Sequence, residues 1–207
     1  MALQAVITGD IVNSTKLNTA KEKKLSSKLM ELYANQQMEF YRGDSFQAFI
    51  KEPKTALHLA LLSRTAAISL FKAEKKVLSD VRISIGIGAV QTPVKDLKTA
   101  KGEAFLLSGR QFDVIVKSNQ RLVITSSNPL ANIGLQVIAD YLNAIFEVMT
   151  GKQAEVIYEL LKGEMQKEVA KKLKKTTSTI HQRITSGRWS EIEKLLQQYE
   201  NIINQIV

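Results

Sequence analysis

The order of apolar and polar residues predicts alternating strands and helices over the first 150 residues. Short β-branched runs, typical of strands, occur at 3–8, 38–41, 45–50, 81–90 and 121–125. Apolar residues at helical spacing fill 18–35, 53–73, 102–116 and 130–149. The resulting order, β-α-β-β-α-β-α-β-α, predicts an α+β fold of the ferredoxin-like type. We expect an antiparallel sheet of about five strands with its helices on one face.

The pattern changes at Thr150-Gly151, after which the sequence predicts helices alone. Apolar residues recur at helical spacing in the segments 152–161, 166–173, 177–185 and 189–206. The change predicts two domains: an α+β domain over 1–150 and a small all-α domain over 151–207.

The amino-acid composition excludes several classes of protein and site. The chain has no cysteine, which excludes disulfide scaffolds, cysteine zinc sites and thiol nucleophiles. Its two histidines, His58 and His181, argue against a histidine-rich metal site or a Ser-His-Asp hydrolase. No apolar run reaches the roughly 18 residues that span a bilayer, and the first ten residues lack the features of a signal peptide. We therefore expect a cytoplasmic protein.

The charge of the chain favours a polyanionic partner. Lys and Arg number 29 against 20 Asp and Glu, which gives a formal net charge of +9. Between Lys162 and Arg188 there are eight basic residues and two acidic ones. A field of this sign attracts nucleic acid, nucleotides or anionic lipid.

The basic segment also carries the pattern of a helix-turn-helix motif. Ala170 is a small residue at the expected helix crossing, and Val169, Leu173, Ile180 and Ile184 fall on the inner face. The stretch from Thr150 to about Leu196 resembles LuxR-type and sigma-factor-type domains. The residues predicted to bind double-stranded DNA are Lys172, Lys174, Lys175, Thr177, Ser178, Thr179, His181, Gln182 and Arg183. The alternative is a helical bundle, such as a dimerisation tail, with a solvated basic face.

Two aspartates follow predicted strands in the first domain. Asp10 lies in GDIVNST, and Asp44 lies at the tip of the hairpin, in RGDS. A carboxylate beside a loop with free backbone N–H groups can hold Mg²⁺ or Mn²⁺ while the loop cradles phosphates. The first strand and the hairpin are neighbours in a β-α-β-β unit, so both carboxylates are expected to face one metal site. Alternatively, both are turn residues that bond their own backbone, as we also expect for Asp80.

Four segments resemble class III nucleotidyl cyclases: VITGDIVNST, RGDSFQAF, VRISIGIGAV and GEAFLLSGR. Together with the C-terminal helices they also resemble the SatD family, over most of the chain. The resemblance implies that Asp10 and Asp44 are metal ligands, assisted by the Ile11 carbonyl. It also implies a homodimer in which Arg110 meets phosphate charge across the interface. The implied nucleotide-binding residues are Ile11, Asn13, Ser14, Thr15 and Arg110.

The sequence departs from the cyclase pattern at two functional positions. Leu106 stands where active cyclases carry a transition-state asparagine, and Phe40 replaces the purine-selecting Lys or Glu. Losing such a hydrogen-bond donor costs about 10²–10³ in rate. We therefore expect a DNA-binding transcriptional regulator whose cyclase-like domain dimerises and is a candidate nucleotide-binding domain. The alternatives are a divalent-metal-dependent nucleotidyl cyclase or related phosphoryl-transfer enzyme, and a helical protein–protein adaptor.

Overall fold

The computed structural model describes residues 3–41, 43–70 and 79–206, and its elements follow the predicted order. The strands are β1 (Leu3–Val12), β2 (Gln37–Tyr41), β3 (Ser45–Ile50), β4 (Asp80–Ala89) and β5 (Leu122–Ser126). The helices are α1 (Thr19–Leu32), α2 (Ala56–Leu70), α3 (Glu103–Val116), α4 (Pro129–Glu147), α5 (Gly151–Leu161), α6 (Gln166–Leu173), α7 (Thr177–Ser186) and α8 (Trp189–Ile206). Positions 71–73 of the predicted second helix lie outside the described residues.

The five strands form one sheet in the order β2-β3-β1-β4-β5. β1 lies in the middle and pairs antiparallel with both β3 and β4, whereas β4 and β5 run parallel. The sheet is therefore mixed, and the prediction of an antiparallel sheet is wrong for its last pair. The cause is α3, which carries the chain back over the sheet to the end at which β4 began. β5 therefore runs in the same direction as β4.

Helices cover both faces of the sheet, so the prediction of helices on one face is also wrong. Val81, Ile83, Ile85 and Ile87 of β4 are buried in the same core as α2. Alternate residues of a strand point to opposite faces, and on the other face Gly86 and Gly88 lie directly beneath α3. The absence of a side chain at Gly86 lets the helix backbone approach the strand.

The main core extends beyond the predicted boundary at 150/151. Buried residues of α5 and α8 belong to the same apolar cluster as the sheet and α2: Ala154, Ile157, Tyr158, Leu161, Ile192, Tyr199 and Ile203. The Tyr199 hydroxyl donates a hydrogen bond of 2.7 Å to the Pro53 carbonyl, which ties α8 to the segment before α2. The described helices include none with both the length and the apolar composition needed to cross a bilayer.

A separate, smaller core lies between α5, α6 and α7. It consists of Val156, Val169, Ala170 and Ile180, with Leu160, Leu173 and Ile184 packed against it. The residues that the sequence places on the inner face of α6 and α7 thus face α5. Because α5 contributes to both cores, it joins these two short helices to the rest of the molecule.

Substituting alanine for Gly86 should destabilise the fold by about 1–3 kcal/mol. A methyl group there would collide with the Ala104 carbonyl oxygen and lie 2.5 Å from the Ser108 amide nitrogen, so α3 must move. Gly109 is the matched control, since a methyl group there meets nothing within 4 Å. Gly109→Ala should stabilise the helix by about 0.5–1 kcal/mol. Urea unfolding measures both, and equal effects would contradict the close approach at Gly86.

Candidate functional site

The chain bends sharply where β1 ends. Asn13 adopts a left-handed conformation (φ 60°), and residues 14–16 form a 3₁₀ turn. This bend turns the Ser14 side chain toward the β2–β3 hairpin, where its hydroxyl donates a hydrogen bond of 2.6 Å to Asp44 Oδ2. The loop and the hairpin are therefore fixed to each other.

Asp10 and Asp44 lie at the same end of the sheet. Asp10 is opposite Ser45 in the β1–β3 register, one residue from Asp44. The Ile11 amide donates to the Asp44 carbonyl at 3.0 Å, and the Ser45 hydroxyl contacts Asp44 Oδ1 at 3.4 Å. Antiparallel pairing of β1 and β3 thus brings the two aspartates together.

Arg82 is a site residue that the sequence analysis missed. It is opposite Asp10 in the β1–β4 register, and its Nη1 lies 2.8 Å from Asp10 Oδ2. Its side chain is 13% exposed, against 20% for that of Asp10. An arginine followed by seven apolar or small residues of the same strand was the available signal, because a buried cation requires a partner.

Burial governs the electrostatics of Asp10. Removal from water raises the pKa of its carboxyl group above 3.8, and the nearby Asp44 charge raises it further. Arg82 and Arg121 act in the opposite direction, but burial prevails. The folded state therefore retains this proton more readily than the unfolded chain does. Consequently the free energy of unfolding falls as the pH rises from about 3.8 to the raised pKa.

The donor atoms at this end of the sheet fit a hard divalent cation. Asp10 Oδ1 is buried without a hydrogen-bond partner, and Asp44 supplies a second carboxylate. Mg²⁺ binds through one or two carboxylates while it keeps several waters, so a pair suffices. Within the described ranges no three acidic or histidine side chains form a metal-holding group. Asp10 and Asp44 would hold the ion, which would neutralise phosphate charge there.

The other residues implied for nucleotide binding are dispersed. Asn13 and Thr15 are exposed in the loop after β1, whereas Ile11 is buried in the core. Arg110 is exposed on α3, two residues beyond Ser108, whose hydroxyl accepts from Thr8 of β1 at 3.0 Å. Ser108 faces the sheet, and within the described chain no hydrogen bond or ion pair joins Arg110 to either aspartate. Within one protomer, therefore, Arg110 is not part of the aspartate site.

The residues predicted to bind DNA divide into exposed and paired groups. The exposed group is Lys174, Lys175, Thr177, Ser178, His181 and Gln182. Thr179 bonds Thr176 through its hydroxyl, at 2.9 Å, within the cap of α7. Lys172 lies 2.6 Å from Glu159. Arg183 is only 16% exposed and lies 3.7 Å from Glu155 of α5, so it packs inward in place of extending from α7.

Asp80 makes the predicted contact with its own backbone, since its Oδ1 accepts from the Val81 amide at 2.7 Å, and it also forms an ion pair that the sequence analysis missed. Its two carboxylate oxygens accept from Nε and Nη2 of Arg64 at 3.1 and 2.7 Å. The Arg64 side chain is 2% exposed, and its guanidinium lies 4.4 Å from the centre of the Phe146 ring. The sequence carries a signal for this pair, since Arg64 is the one residue among the Asp, Glu, Lys and Arg types in α2, and a buried charge requires a counter-ion.

Comparison with solved structures finds a distant similarity to a bacterial light-regulated adenylyl cyclase. The match has a TM-score of 0.44 and 15% identity, and covers 59% of this chain and 75% of the other. A second structure of the same description matches with a TM-score of 0.43 and 14% identity, and the match covers 60% of this chain and 43% of the other. No protein-family model and no curated protein matches the chain, so the resemblance to the SatD family gains no support. The α+β architecture is established by the strands and helices described above, and nothing about family or activity follows from this similarity.

Replacing Asp44 by asparagine should lower the pKa of Asp10. The substitution removes a like charge that now disfavours the ionised Asp10 carboxylate. Carboxyl-carbon NMR during a pH titration measures the shift. Asp113→Asn, an exposed position on α3, is the control and should leave the pKa of Asp10 unchanged. An Asp10 pKa that is the same in Asp44→Asn and wild type would contradict the proximity of the two carboxylates.

Proposed function

We propose that this protein binds duplex DNA through α6 and α7 and acts as a DNA-binding transcriptional regulator. The observation that carries the proposal is the exposed face of α7. This helix contains no acidic residue, and its exposed side chains are Thr177, Ser178, His181, Gln182, Thr185 and Ser186. All six can donate or accept hydrogen bonds at base edges or phosphates.

The connection between α6 and α7 supports a helix-turn-helix interpretation. Lys174 adopts a left-handed conformation (φ 52°), the conformation that glycine usually supplies after a helix. The Lys175 amide donates to the Ala170 carbonyl at 3.0 Å, which closes the end of α6. The Thr176 side chain then caps α7 by accepting from the Thr179 amide at 3.1 Å. The turn forms even though lysine stands where glycine is expected.

The charges around this turn support binding to phosphates. Lys174 and Lys175 are exposed, and neither has a carboxylate partner in the described part of the chain. By contrast, Lys171 lies 2.9 Å from Glu168, and Lys172 lies 2.6 Å from Glu159. The two lysines of the turn that have no carboxylate partner therefore lie just before α7, where a helix lying in the major groove passes close to the DNA backbone.

The proposal includes a homodimer formed by the α+β part of the chain. Leu130, Ile133 and Val137 lie along one side of α4 and are 77, 66 and 63% exposed. A row of large apolar side chains in water favours self-association. Two copies would present two α7 helices to half-sites about one turn of DNA apart.

Replacing Lys174 and Lys175 together by glutamine should weaken binding to duplex DNA. The slope of log K against log salt should become shallower by about 0.9 for each phosphate that the variant no longer neutralises. Fluorescence anisotropy of the full-length protein, with a labelled duplex over a series of salt concentrations, measures both quantities. Gln182→Ala should instead reduce the difference in binding affinity between a duplex of preferred sequence and one of random sequence.

The matched control removes two charges from another exposed lysine pair. Lys23 and Lys24 are adjacent and exposed on α1, so replacing both by glutamine changes the net charge equally. This control should keep the salt slope of the wild type. If both double variants weaken binding to the same extent, the attraction is a property of overall charge and the assignment to α6 and α7 is wrong.

A second candidate function is divalent-metal and nucleotide binding at Asp10 and Asp44. The observation that favours it is the buried, unpartnered Asp10 Oδ1 beside a second carboxylate. The exposed Leu106 of α3 cannot supply the hydrogen bond of a transition-state asparagine, so we favour binding over efficient cyclisation.

Mn²⁺ binding, followed by electron paramagnetic resonance, should be abolished in Asp10→Asn and Asp44→Asn and retained in Asp113→Asn. Each of the first two substitutions removes half of the anionic donor set. Incubation with each nucleoside triphosphate and Mg²⁺ or Mn²⁺ then separates an enzyme from a binding domain. Saturable Mn²⁺ binding that survives in both site variants would exclude this pair as the ligands.

A further inference from the structure

We infer that a cleft beside α2 and α4 binds a small ligand through a phosphate or carboxylate group. The cleft has a volume of about 550 Å³ and lies between α2, the second half of α4 and the residues that begin β4 and β5. Sites for small molecules usually have volumes of about 300–1,000 Å³. Neither Asp10 nor Asp44 lines it, so it is separate from the two carboxylates of the candidate metal site, although Asn13 of the loop after β1 also lines it.

Arg64 forms part of the wall of this cleft and has one donor nitrogen left over. Its Nε and Nη2 donate to the two oxygens of Asp80, and its guanidinium lies against Phe146. The remaining nitrogen, Nη1, is buried and has no hydrogen-bond partner. A buried donor without a partner is destabilising, and a ligand oxygen that accepts from it would remove that penalty.

Arg121 brings a second guanidinium to the same cleft. It is half-buried and forms no ion pair with a carboxylate of the described chain. Its backbone is fixed, because its amide donates to Asn143 Oδ1 at 3.2 Å and its carbonyl accepts from the Ile83 amide at 2.8 Å. Burial, together with the charges of Arg82 and Arg64, lowers the pKa of Arg121. An oxyanion would relieve this repulsion.

The carboxylate groups of the cleft do not neutralise all of the positive charge on its inner side. Asp80 is already bonded to Arg64 through both oxygens. Asp140 and Glu147 also line the cleft, but both are exposed, and water screens their charges. The inner part therefore holds two guanidinium groups and one committed carboxylate. Planar guanidinium groups match the geometry of phosphate and carboxylate oxygens.

The amide side chains beside the arginines suit the remainder of such a ligand. Asn119 and Gln120 also line the cleft and have groups that donate and accept hydrogen bonds. Gln120 donates to Asp140 at 3.3 Å, and Asn143 is committed to β5 through the Leu122 carbonyl at 2.8 Å. A small phosphorylated or carboxylated metabolite with hydroxyl groups fits this donor set.

NMR titration of the full-length protein with inorganic phosphate, glucose 6-phosphate and succinate tests the inference. Saturable shifts of the Arg121 and Asn143 amides are expected with at least one probe. A preference for the phosphates or for succinate identifies the source of the oxyanion. In Arg121→Gln the affinity should fall about 10- to 100-fold, because the variant cannot form one charge-assisted pair of hydrogen bonds.

Lys101→Gln is the control, since it removes one exposed charge beyond the far end of β4 and should leave the affinity unchanged. Arg64→Lys, checked for folding by circular dichroism, keeps the charge but loses Nη1 and should also bind more weakly. No saturable binding of any probe would overturn the inference. So would equal affinity in Arg121→Gln and wild type, or shifts confined to α6 and α7.

Discussion

The central position of β1 determines the chemistry at one end of this molecule. Because β1 pairs with β3 on one side and β4 on the other, a residue near its end acquires neighbours from both. Asp10 is that residue. The pairing places Asp44, at the turn of the β2–β3 hairpin, on one side of it and Arg82, in β4, on the other. The sheet thus places a like charge and an opposite charge beside one buried carboxyl group. Burial raises the pKa of this group and the Asp44 charge raises it further, while Arg82 pairs with one of its oxygens and leaves the other without a partner.

The crossover through α3 determines where the side chains of that helix lie on the opposite face of the sheet from α2. Parallel strands require a connection that passes over the sheet, and Gly86 and Gly88 allow α3 to lie close to β4. This arrangement commits Ser108 to the sheet and leaves Arg110 in solvent. A role for Arg110 at the aspartate site therefore requires a second copy of the chain.

The sequence was sufficient to predict local structure and the end of the sheet at which the aspartates meet. The spacing of hydrophobic residues and the positions of turn residues identified the β2–β3 hairpin and the order of the strands and α-helices. These signals lie within short windows of the chain. It did not predict the parallel pair, the Arg82–Asp10 contact or the Arg64–Asp80 pair. Each of these depends on register or on packing between distant segments. A local pattern can indicate that a buried arginine needs a partner, but it does not specify which residue that partner is.

The same limit explains why Arg183 was assigned to the DNA-facing side. Its position in α7, between Gln182 and Ile184, is compatible with either face of a short helix. Only the presence of Glu155 on α5, at 3.7 Å, selects the inner orientation. Since α5 itself packs against α2, which carries Arg64, the candidate anion cleft and the helices proposed to bind DNA are attached to the same pair of helices. Contiguity of this kind does not amount to allosteric coupling. A ligand in the cleft would alter DNA binding only if it had different affinities for two arrangements of α5 against α2.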